Sequence, residues 1–329
     1  MARISVLETL TAMPRVSVPE WQAAPLLLRW LVTARAGVLI MTVASAAFGA
    51  LLVARLPSAD WLAGFVCLLG LLLAHAANNQ LNDLTDSQRG IDSGNYFRTR
   101  YGAHVIEHGL LSKRGLLGYF LVTASLALLC GLWLLWRVDP WLLLPLVVGA
   151  VFLLFYTWPL KQWGLGELAV VIVWGPLMVA GTAWAVSGSW SWPIAVTGVW
   201  YALGPTTVIF GKHIDKLDFD AAKGVATAPV RLGELRSRQW VQGMLFLMYG
   251  GLLALVPVGL LPWLTLLAFL ALPKALNAWR VLGTRAPDER PADYAQSIWP
   301  LWFSAVCFDH TRAFSMLALT GLAAAQLFA

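Results

Sequence analysis

The chain has 329 residues, 59% of them hydrophobic and 12% charged, with a mean hydropathy of +0.70. A soluble protein of this length carries about 25% charged residues, so a soluble fold is excluded and the composition is that of a polytopic membrane protein. Cys67, Cys130 and Cys307 lie in apolar surroundings without CxxC or Cys/His spacing, which excludes a disulfide framework and a zinc site.

The N-terminus has no basic region followed by an apolar core and a small-residue cleavage site, so no cleaved signal peptide is read. Residues 1–24 are expected to form a cytoplasmic segment ahead of a single transmembrane domain over 25–329. Apolar runs then predict nine spans, at about 25–53, 60–81, 115–136, 139–158, 165–187, 191–211, 239–258, 260–282 and 312–328. The first span is long, and Arg29 and Arg35 are expected to hold its opening turns at the cytoplasmic interface. Two further segments, about 95–112 and 293–309, read as interfacial helices, the second because Trp299 and Trp302 suit headgroup depth. The expected fold is an all-α membrane protein with about nine helices around a central cavity and interfacial helices in its cytoplasmic loops.

Basic residues set the orientation. With a cytoplasmic N-terminus, the connections after spans 2, 4, 6 and 8 hold fourteen Lys and Arg, whereas the opposite connections hold only Arg55 and Arg137. This follows the positive-inside rule and explains the net charge of +6 without nucleic acid. It also favours an anionic substrate arriving at the cytoplasmic face of the cell membrane.

Span 2 ends in "NNQLNDLTDSQRGID" (78–92). Asn79, Asn82, Asp83 and Asp86 fall at i, i+3, i+4 and i+7, so they line one helix face. Gly90 breaks the helix and lets Asp92 fold back. A solvated helix end would suffice for one Asp, but this density beside an apolar span points to function. Hard oxygens gathered this way suit Mg²⁺ with substrate phosphate.

Span 6 is followed by "GKHIDKLDFDAAKGVATAPVRLG" (211–233), where Asp215, Asp218 and Asp220 alternate with Lys212, His213, Lys216 and Lys223. Alone it would read as a charged loop. Paired with the first cluster on the same side, it suggests two acidic walls facing across Mg²⁺ and a diphosphate, with Lys and Arg neutralising the rest of its charge.

These residues resemble the UbiA superfamily of intramembrane prenyltransferases. "NDLTDSQRGID" (82–92) is similar to that family's N-D-x-x-D-x-x-x-G-x-D motif. Asp220, Gly224, Thr227 and "VRLG" (230–233) sit at offsets matching its second motif. "YTWPLKQWGLGELAVVIVWGPLMVAGT" (156–182) and "HGLLS" (108–112) resemble segments of the 1,4-dihydroxy-2-naphthoate polyprenyltransferase branch, which makes menaquinone precursors. One departure stands out: Lys216 occupies the place of the first Asp in the second pair, and His213 one that is often Asn or Asp.

The resemblance implies Mg²⁺-dependent loss of diphosphate from an allylic prenyl chain, then attack on the allyl cation by an electron-rich carbon of an aromatic acceptor such as 1,4-dihydroxy-2-naphthoate. Partners are therefore a prenyl diphosphate, that acceptor and the lipid bilayer. The implied metal ligands are Asn82, Asp83, Asp86, Asp92, Asp218 and Asp220, with Asp215 next; Arg98, Arg100, Lys161, Lys212 and Lys216 are expected on the diphosphate. Asp86, Asp220, Tyr156 and Lys161 are expected at the reacting centre, with Asn79 orienting the acceptor or a metal-bound water. Trp158 and Trp163 are the tryptophans placed near an aromatic ring or cation, and His75 is read as a packing histidine. Two alternatives stay open at this point: the same fold with another acceptor or cyclising its substrate, and a cation-coupled transporter. The second should place its acidic groups near mid-membrane in broken helices.

Overall fold

A computed structural model describes residues 4–94 and 96–327. Two short N-terminal helices come first: α1 (Val6–Thr11), capped by Ser5, and α2 (Val18–Ala23), with a Ser17/Glu20 capping box. They do not trail free, since Val16 and Trp21 join a buried cluster with Ala103, Val105 and Leu116.

The first expected span is broken. α3 (Leu26–Thr33) and α4 (Ile40–Leu52) meet at a bend of 60°. At the bend stands Arg35 with φ +53°, a left-handed conformation costly for any residue with a Cβ. Arg35 is buried rather than interfacial, because its partner is a carboxylate inside the bundle.

α5 (Trp61–Gln88) starts on the side chain of Asp60, which accepts the Ala63 N–H at 3.0 Å. At 1.5 Å per residue it runs about 42 Å, so its Asn- and Asp-rich turns continue the span itself. The chain leaves it through Gly90 at φ +69°, where a turn requires glycine. The segment expected as an interfacial helix near 95–112 is instead packed into the protein, with one short 3-10 turn at Phe97–Arg100: Tyr96, Phe97, Arg98, Tyr101, His104 and Val105 are buried in it.

α6 (Lys113–Arg137) and α7 (Leu143–Phe155) form a flank whose outer face is apolar, with Leu121, Val122, Leu129, Leu144 and Val147 exposed. α7 buries no residue at all within the bundle. Such a continuous apolar surface is stable against hydrocarbon and not against water. Next come α8 (Gly166–Ile172) and α9 (Gly181–Ser187), joined through a kink at Gly175–Pro176, then α10 (Trp192–Tyr201), α11 (Leu203–Asp215), α12 (Leu217–Ala222) and α13 (Ala228–Leu232). α14 (Glu234–Leu255), α15 (Leu272–Leu282) and α16 (Phe303–Ala325) complete the chain.

The main core lies mostly in this second half, where Tyr201, Phe210, Met248, Cys307 and Phe314 meet Phe48 of α4 in one buried cluster. Helices approach closely where side chains vanish: a Cβ on Gly49 would lie 2.0 Å from the Val179 carbonyl oxygen.

Among the described residues, six helices are long and apolar enough to cross a membrane, or seven if the bent pair counts as one. The expected nine are not reached, because α14 opens on Glu234, Arg236 and Arg238 and α16 carries Asp309 and Arg312. α16 also begins at Phe303, inside the stretch expected to be interfacial. A cavity of about 380 Å³ lies between Leu51, Arg55, Trp263 and Gln326, at the end of the bundle away from the Asp-rich turns. It is not the central chamber expected from the sequence.

Candidate active site

The last turns of α5 bring the predicted face together, and their partners divide it. The Asn79 amide donates to the Ala34 carbonyl at 2.9 Å, and Asn82 donates to Thr157 Oγ1 at 3.0 Å while accepting from Arg35 at 3.3 Å. Both amides therefore tie α5 to its neighbours. Asp83 accepts from Arg35, and Arg98 Nη2 and His104 Nε2 lie 3.5 and 3.6 Å from it. Asp86 takes the Lys161 ammonium on Oδ2 at 2.6 Å, and Asp92 takes His104 on Oδ2 at 2.7 Å. All seven of these acidic and basic side chains are buried, where charge-assisted contacts count most.

Asp86 and Asp92 each keep one buried oxygen, Oδ1, with no hydrogen-bond partner among the described residues. An unpartnered buried carboxylate oxygen is expensive. Two of them on one wall fit a hard divalent cation such as Mg²⁺. Asp83, Asp92 and His104 also bring ligand atoms within 4.8 Å of one another. The arginine contacts on Asp83 and the nitrogen donor of His104 make that trio a poorer match to Mg²⁺ than the free oxygens.

The second wall rises from the break between α11 and α12. Asp220 is fully buried; Oδ1 accepts from the Tyr96 hydroxyl and from Lys216 Nζ at 2.9 Å. Burial alone would raise the Asp220 carboxyl, but Lys216 first, then His213, Lys161 and the Tyr96 hydrogen bond hold it below the usual carboxylate range. Burial and then Asp220 push the Tyr96 hydroxyl well above the usual tyrosine value, so it stays a donor. Lys212 stands within electrostatic reach of Arg35, Lys216, Arg98 and Lys161. Tyr156 likewise stands within electrostatic reach of Glu167, Asp86 and Asp220.

The two loops touch. Lys223 Nζ donates to the Gly90 carbonyl at 3.0 Å, and Ile91, Tyr96, Phe97 and Val225 share a buried cluster with Phe219 packed on it. Arg100 lays its guanidinium over the Phe219 ring, 4.5 Å from the centroid.

Several expected residues fall elsewhere. Asp215 accepts the backbone N–H groups of Trp302, Phe303 and Ser304 at 3.1, 2.8 and 2.9 Å, so it caps α16. Asp218 is exposed. Trp158 and Trp163 are 47% and 59% exposed, and Trp158 carries Arg89 on its face at 5.4 Å. His75 is the packing histidine expected, bonded through Nδ1 to Thr42 Oγ1 at 2.8 Å.

Tyr96, His104 and Glu167, the last paired with buried His213 at 2.5 Å, were not expected at the site, and Arg35 was expected only at the interface. Only Glu167 carried a signal, as the last residue of "GLGE".

Asp215→Ala is expected to lower stability by up to about 2 kcal/mol through loss of a three-donor cap, while diphosphate affinity per folded molecule stays unchanged. Unfolding in detergent alongside a binding isotherm checks both halves. A stable variant with weakened binding would return Asp215 to the site.

The sequence profile described as the UbiA prenyltransferase family matches residues 42–301. A 2-carboxy-1,4-naphthoquinone phytyltransferase from Synechocystis is 31% identical over 230 residues, covering 66% of this chain and 70% of that one. A 1,4-dihydroxy-2-naphthoate octaprenyltransferase from Mycobacterium tuberculosis is 28% identical over 256 residues, covering 76% and 84%. Among solved structures, a UbiA homologue from Aeropyrum pernix superimposes with a TM-score of 0.61 at 19% identity, over 88% of this chain and 98% of that chain. A UbiA homologue from Archaeoglobus fulgidus bound to DMAPP and Mg²⁺ gives 0.56 at 15% identity, over 88% and 99%.

Proposed function

From the premise that the chain belongs to the UbiA prenyltransferase family, we propose that it moves a prenyl chain from an allylic diphosphate to 1,4-dihydroxy-2-naphthoate or a near relative, with Mg²⁺. The observation that carries this reading is the pair of open carboxylate oxygens on Asp86 and Asp92, ringed by Lys161, Arg98, Lys212 and Lys216 where two loops meet. The two relatives named above are naphthoate and naphthoquinone enzymes, which sets the acceptor class.

Asp86 and Asp92 would hold the metal, with Asn82, Asp83, Asp218 and Asp220 further from it. Mg²⁺ would supply positive charge to the departing diphosphate. Lys161 and Lys216, with Lys212, Arg98 and Arg100, bind the remaining phosphate oxygens as fixed point charges. The allylic C–O bond breaks with its electron pair on the diphosphate. An acceptor ring carbon supplies the pair for the new C–C bond, and the ring then loses a proton or, from a carboxylated carbon, carbon dioxide. Tyr156, against Gly166 and Lys161, offers a ring face to the allylic cation. The apolar flank of α6 and α7 keeps water from it.

Purified protein incubated with a series of prenyl diphosphates and aromatic acceptors, with and without EDTA, tests this by mass spectrometry. A prenylated naphthalenediol formed only with Mg²⁺ is the expected product. A cyclic hydrocarbon, or equal turnover in EDTA, would overturn the reading.

The membrane orientation follows from the basic connections, and we place both loops and the 1–24 segment in the cytoplasm. Ser93 and Arg236 are exposed, one on each side of the site. Single cysteines introduced there are expected to label from the same, cytoplasmic side of oriented vesicles. Labelling from opposite sides would separate the walls.

A further inference from the structure

We infer that the Lys216 ammonium is the permanent cation of the second wall, so that the site takes one divalent ion per diphosphate, on Asp86 and Asp92, and none on Asp220. The inference rests on the diphosphate reading proposed above.

Residues four apart on a helix face the same way, one turn from each other. Two carboxylates at 216 and 220 would therefore share a bound cation. Here the first is a lysine, and the backbone keeps the turn: the Asp220 N–H donates to the Lys216 carbonyl at 2.9 Å. Nζ of Lys216 consequently sits where such a shared cation would, 2.9 Å from both Oδ1 and Oδ2 of Asp220. The Tyr96 hydroxyl, 3.5 Å from Nζ, donates to the same Oδ1. Lys216, Asp220 and Tyr96 are all buried, so the ammonium is not a passing surface contact.

No neighbouring acid is free to replace it. Asp215 is engaged by three backbone N–H groups of α16, and Asp218 points into the exposed surface of α12. On the first wall, by contrast, Asp86 and Asp92 hold Lys161 and His104 on Oδ2 and leave Oδ1 open. Asp220 Oδ2 also has no hydrogen-bond partner among the described residues, but the Lys216 ammonium stands 2.9 Å from it, so the second wall already contains its own cation. Lysine has three N–H donors. Asp220 and Tyr96 account for the contacts of two, which leaves the third for a phosphate oxygen.

The test counts metal directly. Mn²⁺ is titrated into the purified protein with saturating inorganic diphosphate, and free Mn²⁺ is read from its paramagnetic resonance signal. One tightly held equivalent is expected for the wild type. Lys216→Asp, which restores a carboxylate pair, is expected to hold two. Lys216→Met is expected to hold one and to bind diphosphate about tenfold or more weakly, having lost a charged donor. Two equivalents in the wild type would overturn the inference and leave prenyl transfer standing. So would a Lys216→Asp protein that unfolds at the wild-type temperature yet stays at one equivalent. Absence of any diphosphate-dependent Mn²⁺ binding in the wild type would overturn both.

Discussion

Asp86→Asn is expected to slow prenyl transfer at least about a hundredfold at saturating Mg²⁺ and substrates, equivalent to roughly 3 kcal/mol of lost transition-state stabilisation. The amide keeps the shape of the side chain and still accepts from Lys161, which lies 2.6 Å away in the wild type. The variant should therefore fold and insert normally. What it loses is a full negative charge and a hard oxygen on the wall that faces the leaving group. Asp86→Ala would be a poorer probe, since it also strands a buried ammonium. Single-turnover measurement of product formation, beside thermal unfolding of the same preparation, separates chemistry from folding. Near-normal turnover in a folded Asp86→Asn protein would remove Asp86 from the reacting centre.

Asp83→Ala should fail in a different way. Asp83 neutralises Arg35, lies 3.5 Å from Arg98 and 3.6 Å from His104, and all four groups are buried. Removing it leaves two guanidinium ions without their common counter-ion, a change that costs about 3–5 kcal/mol in comparable buried pairs. Arg35 also adopts a left-handed backbone at the bend between α3 and α4, and its pairing with Asp83 holds that conformation. The expected result is a marked fall in unfolding temperature and in yield of monodisperse protein. Arg35→Met combined with Asp83→Leu should recover part of that loss, because an apolar pair needs no counter-ion. An Asp83→Ala protein as stable as wild type would show that Asp83 serves the chemistry alone.

The contrast between Asp83 and Asp86 marks the limit of what the sequence could tell. Helical spacing placed both on one face, and the structure has them there. Spacing is blind to the partner, and Arg35, 48 residues upstream of Asp83, carries no periodic mark that would connect it. Hydropathy misplaced a helix start for a related reason. It began the last span at Arg312, whereas α16 begins at Phe303, since a window cannot know that Asp309 is paired with Lys274 at 2.5 Å. The loop near 95–112 was misread because its aromatic and basic residues suit a headgroup zone as well as they suit a packed interior. Asp215 was legible as an acid beside two others, but its three donors lie about ninety residues downstream, and a cap can be recognised only when both ends are in view.

That cap has a bearing on how mutational data for this protein should be interpreted. A saturation scan scored by total product would mark Asp215 together with Asp86 and Asp220, since loosening the start of the last helix lowers the amount of folded protein just as losing the chemistry lowers its rate. Scoring each variant twice, once for abundance and once for product per molecule, would pull the ranks apart. Asp215 would follow the abundance axis, and Asp86 would move along the other.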